Sequence, residues 1–117
     1  MHIEKAGDDA KGWSAGPWNM NLPIAVGYAN VGIDEPHLHS DITEIYLVAR
    51  GEANIRVEQR TLTLQPGDVL VIEPGEAHTF LASSPEYFHF VIHSPCPKHS
   101  DKVPVNRARL GLDLGSE

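Results

Sequence analysis

Three histidines and one glutamate are spaced so that they could share one metal ion. A single residue separates His37 from His39, and because side chains alternate along an extended segment, both imidazoles project from the same face. Glu44 follows out of phase with these histidines, so residues 40–43 must bend or bulge before a new strand begins. His78 comes just after a Glu-Pro-Gly-Glu turn, where a neighbouring strand would start. We therefore take these four residues as candidate metal ligands.

The donor types indicate which ions such a site would take. Neutral imidazoles and one carboxylate suit manganese, iron, nickel, cobalt, copper or zinc, whereas calcium and magnesium favour shells made of oxygen alone. We expect one divalent transition metal per chain. Three neutral imidazoles and one carboxylate would leave a net charge of about +1 and, on a six-coordinate ion, about two open positions for a chelating anion.

The elements that would position these ligands are short strands. Glycine and proline punctuate the chain, and the runs between them are rich in Val, Ile, Leu, Tyr and Phe. The predicted strands are residues 22–31, 44–49, 53–58, 61–64, 68–72, 78–82 and 87–93. Because only turns separate most of them, the pairing must be antiparallel, which predicts an all-β sandwich or small barrel. We expect a single domain over residues 1–117, with a barrel core at about residues 20–95 and arms at both ends.

Composition excludes several classes of partner. The chain has 9 basic and 16 acidic residues and a formal charge of −7, which disfavours nucleic acid and anionic membrane surfaces. Cys96 is alone and cannot form an internal disulfide, and no apolar run reaches the roughly 20 residues that span a bilayer. The N-terminus also lacks the apolar stretch of a secretory signal. The expected location is the cytoplasm.

Two longer motifs surround the candidate ligands. From Gly32 the chain reads Gly-x4-His-x-His-x4-Glu-x6-Gly, and from Gly67 it reads Gly-Asp-x5-Pro-Gly-x2-His. These resemble the two signature motifs of the cupin superfamily, in the correct order, so the chain resembles a small single-domain cupin. The resemblance implies an antiparallel double-stranded β-helix, or jelly-roll barrel. It also implies that the metal ligands of the family fall on His37, His39, Glu44 and His78.

Strand phase suggests which side chains form the wall of the site. If Glu44 faces inward, Tyr46 does so too, and it could donate a hydrogen bond to a bound oxyanion or act as an acid, although a purely structural aromatic is the simpler interpretation. Phe80 and Ala82 share the phase of His78 and are expected to line the same cavity.

The last long strand carries two further histidines. His89 and His93 share one face and alternate with Phe88 and Phe90 on the other, and the sequence leaves open which face points inward. A solvated histidine face is the favoured interpretation. If His89 instead looks into the barrel, it could serve as a general base or hydrogen-bond donor, so we take Tyr46 and His89 as candidate catalytic residues.

These features predict a metal-binding protein that acts on a small molecule. The leading hypothesis is a metal-dependent oxidoreductase of dioxygenase-like type whose substrate is small and anionic or enolic. The alternatives are a non-catalytic cupin that binds or senses a small ligand, and a cupin that resembles sugar-phosphate isomerases. Ile45 and Leu47 would form an apolar outer surface, which predicts a homodimer.

Overall fold

Ten β-strands and one short 3-10 turn form the regular structure of residues 1–112, the part of the chain that this computed structural model describes. The strands are β1 (Lys11–Ala15), β2 (Ala25–Ala29), β3 (His37–His39), β4 (Thr43–Arg50), β5 (Ala53–Val57), β6 (Arg60–Leu64), β7 (Val69–Ile72), β8 (His78–Ser83), β9 (Phe88–Ser94) and β10 (Lys102–Pro104). The 3-10 turn spans Arg107–Leu110. Residues 113–117, the end of the predicted C-terminal arm, lie outside the described residues.

The strands form two five-stranded antiparallel sheets. The first sheet has the order β1-β2-β9-β4-β7, and the second has the order β10-β3-β8-β5-β6. Their inner faces enclose an apolar core of Tyr46, Val48, Ala53, Ile55, Leu64, Ile72, Phe80, Tyr87 and Val91. The predicted all-β, antiparallel jelly-roll fold is therefore confirmed.

Strand β4 shows how the sequence sets the two faces of the first sheet. Glu44, Tyr46 and Val48 are buried, whereas Ile45 and Leu47 point to the outer face, as a period of two requires. A tight turn after this strand at Gly51, with φ +70°, leads into β5, and a Cβ there would lie 2.6 Å from the hydroxyl of Ser84. The inward phase predicted for Glu44 and Tyr46 is correct.

Two edge strands form where the sequence predicted only N- and C-terminal arms. β1 pairs with β2, and β10 pairs with β3 through Lys102 opposite His39 and Val103 opposite Leu38. β10 is exposed along its whole length and β1 is only partly buried, and neither carries the alternating apolar pattern that marks a half-buried strand. The predicted strand 22–31 is shorter, Ala25–Ala29.

A β-bulge in β8 corrects one expectation about the wall. Asn54 pairs with Ala82 and Ile55 pairs with Phe80, which leaves Leu81 as an extra residue without a partner. The bulge resets the alternation, so Phe80 is buried and Ala82 is exposed. The expectation that Ala82 lines the cavity was therefore wrong.

Among residues 1–112, no helix is long and apolar enough to cross a membrane.

Candidate metal centre

The fold brings the four predicted ligands together between the two sheets. His37 and His39 lie on β3 and His78 begins β8, both in the second sheet, whereas Glu44 lies on β4 in the first. One donor atom from each residue lies within 4.8 Å of the others, and all four residues are buried. His37 and His78 are direct neighbours in the register of their strands. The cluster could hold a metal ion.

The bend between the third and fourth strands is held by a residue that the sequence analysis did not select. Oδ2 of Asp101 accepts hydrogen bonds from the backbone N–H groups of Asp41 (3.0 Å) and Ile42 (3.1 Å). Ile42 is itself buried, which anchors the crossing from one sheet to the other. The predicted bend at residues 40–43 is thus present, and a carboxylate stabilises it.

Backbone carbonyls orient two of the histidines. Nδ1 of His37 lies 2.8 Å from the carbonyl oxygen of Glu35, and Nδ1 of His78 lies 3.0 Å from that of Glu76. A carbonyl oxygen can only accept, so in each case Nδ1 carries the hydrogen and donates it. In the neutral ring, Nε2 then carries the lone pair, and this is the atom that a metal ion would bind.

A carboxylate orients the third histidine. Nδ1 of His39 lies 2.8 Å from Oδ1 of Asp101. Burial would raise the pKa of Asp101, but the hydrogen bonds from His39 and from the two backbone N–H groups hold that pKa below its usual value. The carboxyl is therefore ionised and accepts the Nδ1 hydrogen, so Nε2 of His39 is also free to bind a metal.

Glu44 is the anionic member of the cluster. Its carboxylate oxygens lie 2.9 Å from Nε2 of His78, 2.7 Å from Nε2 of His93 and 3.7 Å from Nε2 of His39. Burial would raise the pKa of Glu44, but these histidine contacts outweigh it and hold the pKa well below its usual value. Glu44 is thus an ionised carboxylate whose oxygens point at imidazole nitrogens.

This carboxylate tests whether the cluster suits a metal. Because Nδ1 of His78 already carries the hydrogen of the neutral ring, its Nε2 lone pair would face an oxygen of Glu44 at 2.9 Å. An imidazole lone pair and a carboxylate oxygen that face each other at this distance repel unless a cation lies between them. That cation is either a second proton on the ring or a metal ion. Burial also lowers the pKa of His37 to about 4, so this ring is neutral near pH 7, the form that binds metals. The donor set fits a divalent transition metal.

His93 contacts the cluster through Glu44, and sequence reasoning missed it as a site residue. It lies directly opposite Glu44 in the register of β4 and β9, and its ring packs edge-on against Trp13 with centroids 4.6 Å apart. His89 lies on the same inward face, and both histidines are buried. The favoured prediction of a solvated histidine face on this strand was therefore wrong. The only sequence signal was that both histidines share a face.

The candidate catalytic residues lie at successive positions along the inner face of the first sheet. Tyr46 is the next inward residue after Glu44, and His89 is paired with Val48, one inward position farther. The Tyr46 ring lies 6.5 Å from the ring of His78 and 4.8 Å from that of His89. Tyr46 therefore lies between the cluster of candidate metal ligands and His89.

Burial sets the protonation of both candidates. It raises the pKa of Tyr46 well above its usual value, with help from the negative charge of Glu44, so this phenol keeps its proton. It lowers the pKa of His89 to about 4, so this imidazole is neutral near pH 7. Nδ1 of His89 is paired with the hydroxyl of Tyr87 at 2.6 Å.

A cavity of about 670 Å³ opens beside the cluster. Its volume is in the range of small-molecule sites, and its walls include His37, His39, Glu44, Tyr46, His89, Val91, His93, Ile33 and Trp13. Trp13 packs over Gly27, where a Cβ would approach the indole to 2.7 Å, so the absence of a side chain at Gly27 makes room for the ring. Lys11 and Lys102, both exposed, stand at the mouth.

Solved structures with the same architecture have low sequence identity to this chain. The polyketide cyclase RemF from Streptomyces resistomycificus has a TM-score of 0.68 at 17% identity, with 92% of this chain and 78% of that chain covered. PAC13 from Streptomyces, solved with uridine, has a TM-score of 0.63 at 12% identity, with coverages of 88% and 85%. A Cupin 2 conserved barrel domain protein from Salinispora arenicola has a TM-score of 0.63 at 19% identity, with coverages of 80% and 87%. These likenesses show a shared fold.

Sequence comparison gives the family directly. No curated protein matches the chain. The Cupin domain family, however, matches residues 27–93, which is more than half of the chain and spans both motifs and the whole candidate cluster. The chain belongs to the cupin family.

Proposed function

We propose that this protein is a metal-dependent enzyme that holds one divalent transition metal on His37, His39, Glu44 and His78. The observation that carries the proposal is the contact of 2.9 Å between Nε2 of His78 and Oε1 of Glu44. Nδ1 of His78 cannot hold the charge balance there, because its hydrogen is donated to the backbone carbonyl oxygen of Glu76. When bound, a metal of this kind polarises ligand oxygens as a Lewis acid, and a redox-active one also supports oxygen chemistry. The reaction type that we propose is a dioxygenase-like oxidation.

The substrate class follows from charge and shape. Three neutral imidazoles and one carboxylate leave a divalent ion with a net charge of about +1, which favours an anionic or enolic oxygen ligand. Lys11 and Lys102 at the mouth add positive charge in a chain whose net charge is −7. Both are consistent with attraction of a small anion into the cavity.

The walls of the cavity prepare a bound molecule for reaction. Ile33, Val91 and Trp13 are apolar and would exclude water from the ligand. Tyr46, whose raised pKa keeps its proton in place, would act as a hydrogen-bond donor to a substrate oxygen rather than as a base. His89, neutral near pH 7, is the second polar group that the substrate would meet.

Metal analysis followed by oxygen-uptake assays tests the proposal. The protein is purified without a histidine tag, reconstituted with Fe(II), Mn(II), Ni(II), Co(II), Cu(II) or Zn(II) separately, and assayed with enols, diketones, catechols and thiols. We expect about one metal per chain and oxygen consumption with an enolic substrate, both lost in His37→Ala. Metal content near zero after every reconstitution would refute the metal-dependent function. Full metal content without any turnover would leave a binding or sensing cupin as the function.

A second candidate function is acid–base catalysis of the sugar-phosphate isomerase-like kind. The observation that favours it is the contact of 2.7 Å between Nε2 of His93 and Oε2 of Glu44, because a buried imidazole beside a carboxylate can hold and move a proton. Turnover that persists after complete chelation of the metal would select this candidate over the oxidoreductase.

We also propose that the protein acts as a homodimer in the cytoplasm. The outer face of the first sheet carries exposed Val69 and Val71 on β7 and exposed Phe90 on β9. Leu47 lies between β7 and β9 and pairs with Val69 on one side and Phe90 on the other. A contiguous apolar face of this kind suits self-association through a second copy of the same sheet.

A further inference from the structure

We propose that His89 forms a second polar subsite in the cavity, where its Nε2–H donates a hydrogen bond to an uncharged carbonyl or hydroxyl oxygen of the ligand. Tyr87 is the positioning residue that fixes this tautomer. The inference deepens the proposed function. It depends on that function only in assuming that the other end of the small molecule binds at the His37–His39–Glu44–His78 cluster.

The hydroxyl of Tyr87 determines which nitrogen of His89 carries the hydrogen. Tyr87 is completely buried, and among residues 1–112 its hydroxyl makes one hydrogen bond, to Nδ1 of His89 at 2.6 Å. If Nδ1–H donated to the phenol oxygen, the phenolic hydrogen would be buried without an acceptor, which is energetically unfavourable. The phenol therefore donates to Nδ1. In the neutral imidazole, the hydrogen must then be on Nε2.

The free nitrogen of His89 faces the cavity. His89 is only 2% exposed, and its Nε2 makes no hydrogen bond with any other residue of the described part of the chain. No buried side-chain nitrogen or oxygen in residues 1–112 is both sealed from solvent and unpartnered, so Nε2 must border open space. Because His89 lines the cavity beside the metal cluster, that space is the cavity. A ligand oxygen there would give Nε2–H its acceptor.

The surroundings of His89 favour an uncharged oxygen. The rings of Tyr46, Tyr87 and Phe80 lie 4.8, 5.2 and 5.5 Å from the imidazole, centroid to centroid. Burial keeps the imidazole neutral near pH 7, so it offers no positive charge to balance a carboxylate. A ketone, amide or alcohol oxygen can accept one hydrogen bond here without burying an unbalanced negative charge. The subsite therefore favours a small molecule that has an uncharged oxygen at the end far from the metal site.

The strand register sets the size of the ligand. His93 pairs with Glu44, Val91 with Tyr46 and His89 with Val48, so His89 is two inward positions away from the cluster along β9. A molecule that reaches both the cluster and His89 must pass the ring of Tyr46. A two-carbon chelate such as oxalate is too short to do this. The ligand class is thus an extended molecule with chelating oxygens at one end and a neutral oxygen at the other.

Nitrogen-15 NMR of the histidine side chains tests the tautomer without any ligand. We expect His89 to show a protonated Nε2 and an unprotonated Nδ1 in the full chain. Tyr87→Phe should convert this signal to a mixture of tautomers, whereas Tyr28→Phe, which removes a hydroxyl bonded to the backbone of Gly7, should leave it unchanged. A protonated Nδ1 in the wild-type protein would overturn the inference.

Two probes that differ in one carbonyl oxygen test the subsite itself. Acetophenone and ethylbenzene are titrated into the full chain, once freed of metal by chelation and once with one equivalent of zinc. We expect acetophenone to bind about threefold to tenfold more tightly and to shift the Nε2–H signal of His89, as one additional hydrogen bond predicts. His89→Phe should abolish the preference. Equal affinities for the two probes would overturn the subsite.

The two proposals fail in different ways in these titrations. A chain that retains none of the six metal ions after reconstitution but still prefers acetophenone would refute the metal-dependent function and leave the His89 subsite standing. A chain that binds zinc but shows no preference would refute the subsite alone.

Discussion

Asp101 and His39 are 62 residues apart in the chain and are joined by a hydrogen bond of 2.8 Å from Nδ1 of the imidazole to Oδ1 of the carboxylate. The other oxygen of Asp101 holds the backbone of Asp41 and Ile42. One carboxylate thus orients a proposed metal ligand, His39 on β3, and also fixes the bend that carries the chain to Glu44. The segment that carries Asp101 therefore shapes the site without supplying one of the four candidate metal ligands.

Asp101→Asn should weaken metal binding without removing a ligand. The amide can accept from His39 or from the two backbone N–H groups, but its own NH₂ group opposes the donor on the other side. Loss of a partner of this kind costs about tenfold to 100-fold in metal affinity. Affinity is measured by competition with a chromogenic chelator. Asp68→Asn is the matched control, because Asp68 also caps a backbone N–H, that of Gln65, but at an exposed turn. Equal losses in both variants would contradict the role assigned to Asp101.

His78→Ala should remove a ligand outright. We expect metal affinity to fall by more than about 100-fold, a larger loss than that from removing a residue, such as Asp101, that only hydrogen-bonds a ligand. The far-ultraviolet circular dichroism of the β-sheets should be retained. Metal content is measured by elemental analysis after gel filtration. His99→Ala, which changes an exposed histidine, should retain the wild-type metal content. An unchanged metal content in His78→Ala would mean that the fourth ligand is wrongly assigned.

The sequence was informative where chemistry depends on local spacing. His37 and His39 share a face because strands have a period of two, and Glu44 needed a bend, which is present. These positions, with the two motifs, were enough to predict the fold and the cluster. Asp101 could not be found in this way, because its contacts join it to residues about 60 positions earlier and no periodic pattern marks the segment that carries it.

Strand β9 shows a different limit. Alternation predicts that His89 and His93 share a face, but it does not say which face is buried, because the opposite face is aromatic and apolar. The order of the first sheet decides the question, since β9 lies between β2 and β4 and pairs His93 with Glu44. Phe90, which a simple hydrophobic rule would bury, is 44% exposed. Burial here follows from tertiary pairing and not from the strand itself.

The buried neutral His89 predicts a pH dependence of stability. Its pKa falls from 6.5 to about 4 on folding, so between these values the unfolded chain binds a proton that the folded chain does not. Falling pH therefore favours unfolding, by up to ~1.4 kcal/mol per pH unit for this one group. The wild-type free energy of unfolding should fall more steeply than that of His89→Gln between pH 6.5 and 4, with no difference in slope above pH 7. Urea titrations of both proteins, freed of metal, measure this, and parallel slopes throughout would show that His89 does not titrate as stated.

Charge on the outer face of the first sheet should separate the proposed dimer. Phe90 is 44% exposed and lies opposite Leu47, so Phe90→Glu would place a carboxylate in the middle of the apolar face without disturbing the core. Burying an unpaired charge in an interface costs several kcal/mol, enough to convert a dimer to a monomer at micromolar concentration. Sedimentation velocity should show about twice the monomer mass for the wild-type protein and the monomer mass for Phe90→Glu. Leu81→Glu is the matched control, because Leu81 is 40% exposed but lies on the second sheet, so this variant should remain a dimer. A monomeric wild-type protein would refute the dimer, and dissociation by Leu81→Glu alone would move the interface to the second sheet.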